Sequence, residues 1–455
     1  MTPSRRAAAA LALLALAVLW HVRPALCAAG ADSATIRIQP GRVLGAVNRQ
    51  LLGNNMLGYQ NARTEYGNRG AGIWDPERRR SVPELVTLAR QCGLSVSRWP
   101  GGCGAHRFLW KRTVGPLAER PKQQFGLPEF LRHCSDIGAT PIITLSAYVC
   151  PPQDAADMVE YLNAPNDGAN PGDGRDWAAR RAADGHAEPW KVVWFEFGNE
   201  SDHGDHAGNR LSPEEYVRKF IAVRRAMRAV DPRVKLGAVL ENTSTGKVGR
   251  WTRAVLEGAA REIDFAIHHC YLPRYYSDSG KPPPAELIAL ALAGDAQIDH
   301  VYRQLRSHIR TLTGRDDIPL AITEYNGHFV QKRSQPVPYR HCLGNALVNA
   351  EILRILMKPE HHVALANHWQ FANEYWGSVK NYEPPYVRRP NYHVFQLYHQ
   401  HLGDLLVRAH VACATYDTSG GYGVLPRAGK PAHLQLFEKN LLPEQRWELT
   451  PPGKG

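Results

Sequence analysis

Several absences narrow the possibilities for this 455-residue chain before any motif is considered. No apolar run reaches the roughly 20 residues that cross a bilayer; the one nearest the start, AAAALALLALAVLW from Ala7 to Trp20, stops at 14. The eight cysteines, at positions 27, 92, 103, 134, 150, 270, 342 and 413, contain no C-x-x-C pair, which argues against a zinc ribbon. The net charge of +12 comes without a helix-turn-helix, zinc-finger or aromatic-basic RNA motif. Nucleic acid is therefore not an expected partner, and the basic surface reads as a solvated face or an aid to binding acidic glycans. No repeat of solenoid period is present, and with 44% hydrophobic and 22% charged residues the composition is that of an ordinary globular protein.

What is present begins with a leader-like segment. Arg5 and Arg6 precede the apolar run, and small residues surround Ala28 to Ala31, with AGA at 29 to 31 as a cleavage site. This layout predicts a signal peptide over residues 1–31, export to the periplasm or the medium, and no stable membrane insertion after cleavage. Cleavage would remove Cys27 and three arginines, leaving an odd number of cysteines and a charge of about +9.

Beyond the leader, β-like runs alternate with helical patterns. The runs are QLLGNNMLG (50–58), LSVSRWPGG (94–102), PIITLSAY (141–148), VVWFEFGNE (192–200), VKLGAVL (234–240), IDFAIHHCY (263–271), LAITEYN (320–326) and VALANHWQF (363–371). Eight βα units predict a (β/α)8 TIM barrel over residues 49–404. In LSPEEYVRKFIAVRRAMRAVDP, Ser212 is the N-cap, Pro213 the first helical residue and Glu215 the capping-box partner. Tyr216, Phe220, Val223, Met227 and Val230 give that helix one apolar face. VPELVTLARQCG and PEFLRHCSDIG read the same way, each closing on a glycine. ATIRIQPGRV, within 32–48, and the short β-like pieces of 405–455 are expected to form a small accessory β domain from both chain ends.

In such a barrel, chemistry sits at the C-terminal ends of the strands. Glu200 ends strand four and Glu324 ends strand seven, across the mouth from each other. Retaining glycoside hydrolysis needs such a pair, one carboxyl to protonate the leaving oxygen and one to attack the anomeric carbon. Asn199 can hydrogen-bond a sugar 2-hydroxyl, and Tyr271, ending strand six, can hold Glu324 ionised through its hydroxyl. Glu200, as the acid, should have a raised pKa. Trp110, Trp369 and Trp376 offer flat faces for sugar rings. Glu196, four residues before Glu200 and of the same parity, points into the barrel interior and needs a partner; Arg98 on strand two is assigned that structural support.

These segments together resemble the clan of (β/α)8 retaining glycosidases whose acid/base follows an asparagine, as in FGNE, and more closely family 51, the α-L-arabinofuranosidases. SRWPGGCGAHRFLWKRTVGPLAERP is similar to that family's arginine-aromatic-PGG segment. QQFGLPEFLRHCSDIGATPIITL, WFEFGNESD and the Gln of HWQF match its pattern too, over about residues 40–405. The resemblance implies Glu200 as acid/base, Glu324 as nucleophile, and Cys103, Asn199, Tyr271 and Gln370 as sugar contacts. It also implies a carbohydrate substrate of plant or microbial origin. One departure is that the family's glutamate in a GQFIEHLG-like pattern is replaced here by Leu57 in GNNMLGYQ.

Two other readings stand beside this one. The loop SDHGDHAGN (201–209) with His268-His269 raises metal-dependent hydrolysis, but adjacent strand residues face opposite ways. Only one of these two histidines can look inward, and His269 is assigned to the sugar pocket. Another specificity of the same clan (β-xylosidase or glucuronic-acid-directed), or an inactive carbohydrate-binding barrel, would use the same scaffold. Neither cofactor nor metal is expected, and the sequence does not set the oligomeric state.

Overall fold

A computed structural model describes residues 35–56, 73–121, 123–205, 207–272, 274–276, 291–292, 294–330, 338–373, 376–380, 384–412, 415–416 and 447–448. The leader segment 1–31 and Leu57 lie outside the described residues.

The barrel strands are Gly53–Asn55, Val96–Trp99, Thr140–Leu145, Trp194–Phe197, Lys235–Val239, Phe265–Cys270, Leu320–Tyr325 and Val363–His368. They close into one eight-stranded barrel in chain order, and the pairings are parallel. Seven of the eight fall within a run read from the sequence, and the third, Thr140–Leu145, starts one residue before its run. The first is the most shortened: a 3-10 turn, Arg49–Leu52, takes over the start of its run, with Asn48 Oδ1 accepting from the Gln50 amide at 3.0 Å. Gly53 is needed where that strand meets the eighth, because a Cβ there would stand 2.4 Å from the Ala366 carbonyl oxygen.

Helix chemistry follows the sequence signals. The helix Pro213–Val230 starts at Ser212, whose hydroxyl accepts from the Glu215 amide at 3.1 Å. It buries Tyr216, Phe220, Val223 and Met227 completely, while Val230 is half-buried at its end. Pro83–Gln91 precedes strand two, and Leu127–Ile137 precedes strand three, stopping at Gly138 in the left-handed conformation with φ of 75°.

The chain divides into two compact units, one built on Gly45–Leu405 and containing the barrel, the other drawing on both chain ends. In the second, strand Thr35–Ala46 pairs with Leu405–Ala412, and Thr415–Tyr416 pairs antiparallel with Trp447–Glu448. No helix among the described residues is long and apolar enough to cross a membrane.

Candidate active site

Register places the polar residues of the barrel mouth. Parallel pairing sets Asn55 level with Arg98, Thr144 level with Glu196, and His269 level with Glu324. Arg98 and Glu196 are completely buried and meet through the guanidinium Nε and Glu196 Oε1, which also accepts from the Thr144 hydroxyl. The guanidinium reaches further than a support under the site requires. Its Nη1 donates to Glu324 Oε1 at 2.8 Å and to Asn55 Oδ1 at 3.1 Å, and its Nη2 donates to Asn199 Oδ1 at 2.8 Å. Arg98 therefore bears directly on Glu324, a correction to the purely structural part read for it. Burial works against its charge, but the two carboxylates beside it raise its pKa above the ordinary arginine value.

Glu324 has a second donor, the Tyr271 hydroxyl, at 2.6 Å from Oε2. Glu200 sits just past the end of strand four, where the chain turns sharply. Gly198 has φ of 93° and Glu200 itself φ of 43°, a left-handed conformation that a glutamate adopts at a cost of about 1–3 kcal/mol. Its Oε1 accepts from His269 Nδ1 at 2.8 Å and from the Asn242 amide at 2.7 Å, while Oε2 lies 3.5 Å from His203 Nε2. His269 Nδ1 is also 3.7 Å from Glu324 Oε2, so one imidazole stands between the two carboxylates.

The electrostatics of that trio differ from the sequence expectation. Burial pushes the Glu200 carboxyl up, but the hydrogen bond and charge of His269, the charge of His203 and the Asn242 amide hold it down at about 2. His269 moves the other way: burial lowers it, and the charge of Glu324 with the hydrogen bond and charge of Glu200 raise it overall. A raised Glu200 pKa is thus corrected for the ligand-free protein, in which the proton of the pair resides on the imidazole. His268 faces away, accepts from the Thr243 amide at 3.2 Å through Nε2, and packs on the Tyr302 ring.

The remaining pocket residues fall into two groups. Gln370 is completely buried, yet neither end of its amide has a partner among the described residues, as suits a group awaiting ligand. Cys103 lies half-buried in the turn Gly102–Arg107. Trp369 packs against this PGG segment: a Cβ on Gly102 (φ of 62°) would stand 2.7 Å from its ring. With 3% exposure it is a wall behind the segment rather than an open platform. Trp376 is half-buried, with the Arg340 guanidinium 4.0 Å from its ring centre and His328 6.3 Å away. Trp110 does not join the site. At 2% exposure its ring packs on Trp177 and Tyr161 and its indole donates to the Asp154 carbonyl, so its assignment as a sugar platform is corrected to helix packing.

The metal reading finds a different place from the one proposed. In the loop after strand four, Asp205 closes its own turn by accepting from the Ala207 and Asn209 amides and the Asn209 side chain. The described residues whose donor atoms cluster are Glu200, His269 and Glu324, all within 4.8 Å of one another. Asn55 and Asn242 were not foreseen as site residues, and His203, raised only within the loop of the metal reading, stands beside Glu200 instead. Asn242 follows the end of strand five, a position where the barrel rule alone marks polar residues for scrutiny.

Comparison with known proteins agrees with this geometry. The family model "Alpha-L-arabinofuranosidase 1 domain" matches residues 89–274, and "Alpha-L-arabinofuranosidase C-terminal domain" matches 323–449. An exo-α-(1→6)-L-arabinofuranosidase of Bifidobacterium longum is 23% identical over 371 residues, covering 75% of this chain and 69% of that protein. An intracellular exo-α-(1→5)-L-arabinofuranosidase of Streptomyces lividans is 26% identical over 326 residues, 67% of this chain; the chain spans 46% of that protein's length. The crystal structure of α-L-arabinofuranosidase from Thermotoga maritima in complex with arabinose superposes with a TM-score of 0.69 at 25% identity, covering 84% of this chain and 77% of that one.

These relatives also overturn the expectation of export. The Streptomyces protein and several other curated relatives are named as intracellular enzymes, which points away from secretion and leaves the signal-peptide reading without support. Cys92, Cys134 and Cys270 are buried thiols, and burial pushes Cys92 up to about 12 and Cys270 to about 11.

Proposed function

The chain is a glycoside hydrolase of the barrel clan that reacts through strands four and seven, close to family 51, and from that premise we propose that it is a retaining α-L-arabinofuranosidase. The barrel, residues 49–404, is its catalytic domain, Glu200 its acid/base and Glu324 its nucleophile. The observation that carries this reading is the spacing of the pair: their nearest oxygens, with His269 between them, lie within 4.8 Å. Retaining enzymes hold their carboxyls about 5–5.5 Å apart and inverting ones about 6.5–9.5 Å, so a close pair of this kind supports the retaining reading.

Each partner then has work that follows from its donors. Arg98 and Tyr271 each donate to Glu324, one to either carboxyl oxygen, and these two contacts fix the orientation in which it meets the anomeric carbon. Arg98 also occupies Asn199 Oδ1, so the Asn199 amide nitrogen is the atom left to donate to a sugar 2-hydroxyl. In the free enzyme Glu200 and His269 share one proton, held on the imidazole. Glycosylation requires a proton on Glu200, from which it passes to the leaving oxygen as the C–O bond breaks and Glu324 bonds the anomeric carbon. Glu324 is then an ester without charge, the attraction that kept His269 protonated falls, and Glu200 takes a proton from the attacking water. Gln370 and Cys103 bound the sugar, and Trp369 backs the PGG segment.

Leaving-group dependence tests the roles. Glu324→Ala should abolish turnover of every aryl arabinofuranoside, because no covalent intermediate forms. Glu200→Ala should keep formation of the intermediate from a dinitrophenyl glycoside, lose it for poor leaving groups, and recover turnover with azide. Identical behaviour of the two variants across leaving groups would contradict the assignment.

A further inference from the structure

The acid/base is held by more than its histidine. Asn242, at the exposed rim just beyond strand five, contacts two functional strands through one side chain. Its Oδ1 accepts from the His269 backbone amide at 3.0 Å, and its Nδ2 donates to Glu200 Oε1 at 2.7 Å. The first contact fixes the second, because a backbone N–H can only donate; the amide cannot flip, and Nδ2 must face the carboxylate. Glu200 Oε1 therefore accepts from two groups, Asn242 Nδ2 and His269 Nδ1, while Oε2 is turned toward the His203 side.

On the reading of Glu200 as acid/base, we propose that Asn242 is a positioning residue for it: the amide reserves Oε1 as an acceptor and so confines the transferable proton to Oε2. A carboxylic acid that could protonate on either oxygen, or swing about its side-chain torsions, would present its proton to the glycosidic oxygen only part of the time. The clamp matters more here because Glu200 stands on a left-handed backbone at φ of 43°, a conformation that persists only where surrounding contacts over-determine it. The charged and titratable groups around Glu200 are His269 and His268 from strand six, Glu324 from strand seven, Arg98 from strand two by way of Asn199, and Asp202 and His203 from its own loop. Of its two hydrogen-bond donors, His269 changes protonation during the cycle and Asn242 does not. The amide thus keeps the carboxyl oriented in the step where the imidazole is neutral.

The test uses Asn242→Ala and the near-isosteric Asn242→Asp in the full chain, each with two aryl arabinofuranosides. One carries a dinitrophenolate leaving group that needs no proton, the other a poor leaving group that does. General acid catalysis is worth about 10²–10⁴-fold, and losing its alignment should lower kcat/KM for the poor leaving group about tenfold. That for the dinitrophenyl glycoside should stay within about twofold of the unsubstituted enzyme, and azide should restore its kcat. Asn242→Asp keeps the acceptor for the His269 amide but sets a second acceptor against Oε1, so it should lose at least as much as Asn242→Ala. Parallel losses on both substrates, or no loss on either, would overturn the proposal. Glu200→Ala run beside them separates the two ideas: without a leaving-group split in that variant the acid/base assignment itself fails, and with one there but none at Asn242, only the positioning role fails.

Discussion

Glu196→Gln removes one negative charge from the floor of the site and almost no volume. In the native arrangement Arg98, fully buried, is held by Glu196 and by Glu324 at 2.8 Å, with Asn55 and Asn199 taking its other donors. Breaking a buried ion pair by removing one partner typically costs about 3–5 kcal/mol, because the remaining charge is left uncompensated. Arg98 keeps Glu324, and a glutamine oxygen can still accept from Nε and from Thr144, so the lower end applies, about 3 kcal/mol. For domains of 150–250 residues, each kcal/mol shifts Tm by about 2–4 °C, and the shift shrinks as size grows; a fall of about 5 °C is expected here. Circular dichroism melting gives that number. The kinetic counterpart is a modest loss, because Arg98 now bears on Glu324 alone and makes it a weaker nucleophile. A variant with unchanged Tm would mean that Glu196 is not a buried partner of Arg98, and the layering of this barrel floor would be wrong.

Two further outcomes follow from the same geometry. His269→Gln should move the basic limb of kcat/KM to lower pH. The proton now shared with an imidazole raised above 6.5 would then rest on Glu200 alone, and loss of that limb shift would remove His269 from the proton cycle. The stability signs are separate: the depressed Glu200 contributes above the ordinary carboxyl pKa of about 4.3 and loses its contribution as pH falls toward 2, whereas the raised His269 contributes below about 6.5 and loses its contribution as pH rises through its higher value. The native-minus-variant difference in Tm should therefore be largest between about pH 4.5 and 6.5. Leu57→Glu, at the position where the family resemblance calls for a carboxylate, should improve arabinofuranoside kcat/KM; no gain, together with a natural preference for a pyranoside, would keep the clan and remove the arabinofuranose specificity.

Much of this was legible before the structure, and for physical reasons. Strand positions followed from apolar runs with turn signals between them, since a parallel barrel strand buried on both faces leaves little room for polar residues. Glu200 and Glu324 stood out because each is a carboxylate closing such a run, and parity alone gave the inward direction of Glu196. Properties that depend on distances between strands were not legible. Arg98 reaches Glu324 because the second and seventh strands approach across the barrel interior. The depressed Glu200 pKa needs His269 at 2.8 Å, a neighbour 69 residues away in sequence. Trp110 misled because an aromatic after a strand end can pack inward on helices as readily as line the mouth, and no local pattern separates the two. The expectation of export failed because composition carries no statement of compartment by itself.

The most direct test of the central claim is the stereochemistry of the first product. An aryl α-L-arabinofuranoside hydrolysed in deuterated buffer and followed by proton NMR in the opening minutes should release α-arabinofuranose before mutarotation sets in, as expected for two displacements through Glu324 with one oxygen of each carboxyl within 4.8 Å of the other. Initial release of the β anomer would mean a single displacement by water between more widely spaced carboxyls, and it would contradict both the mechanism and the role assigned to Glu324.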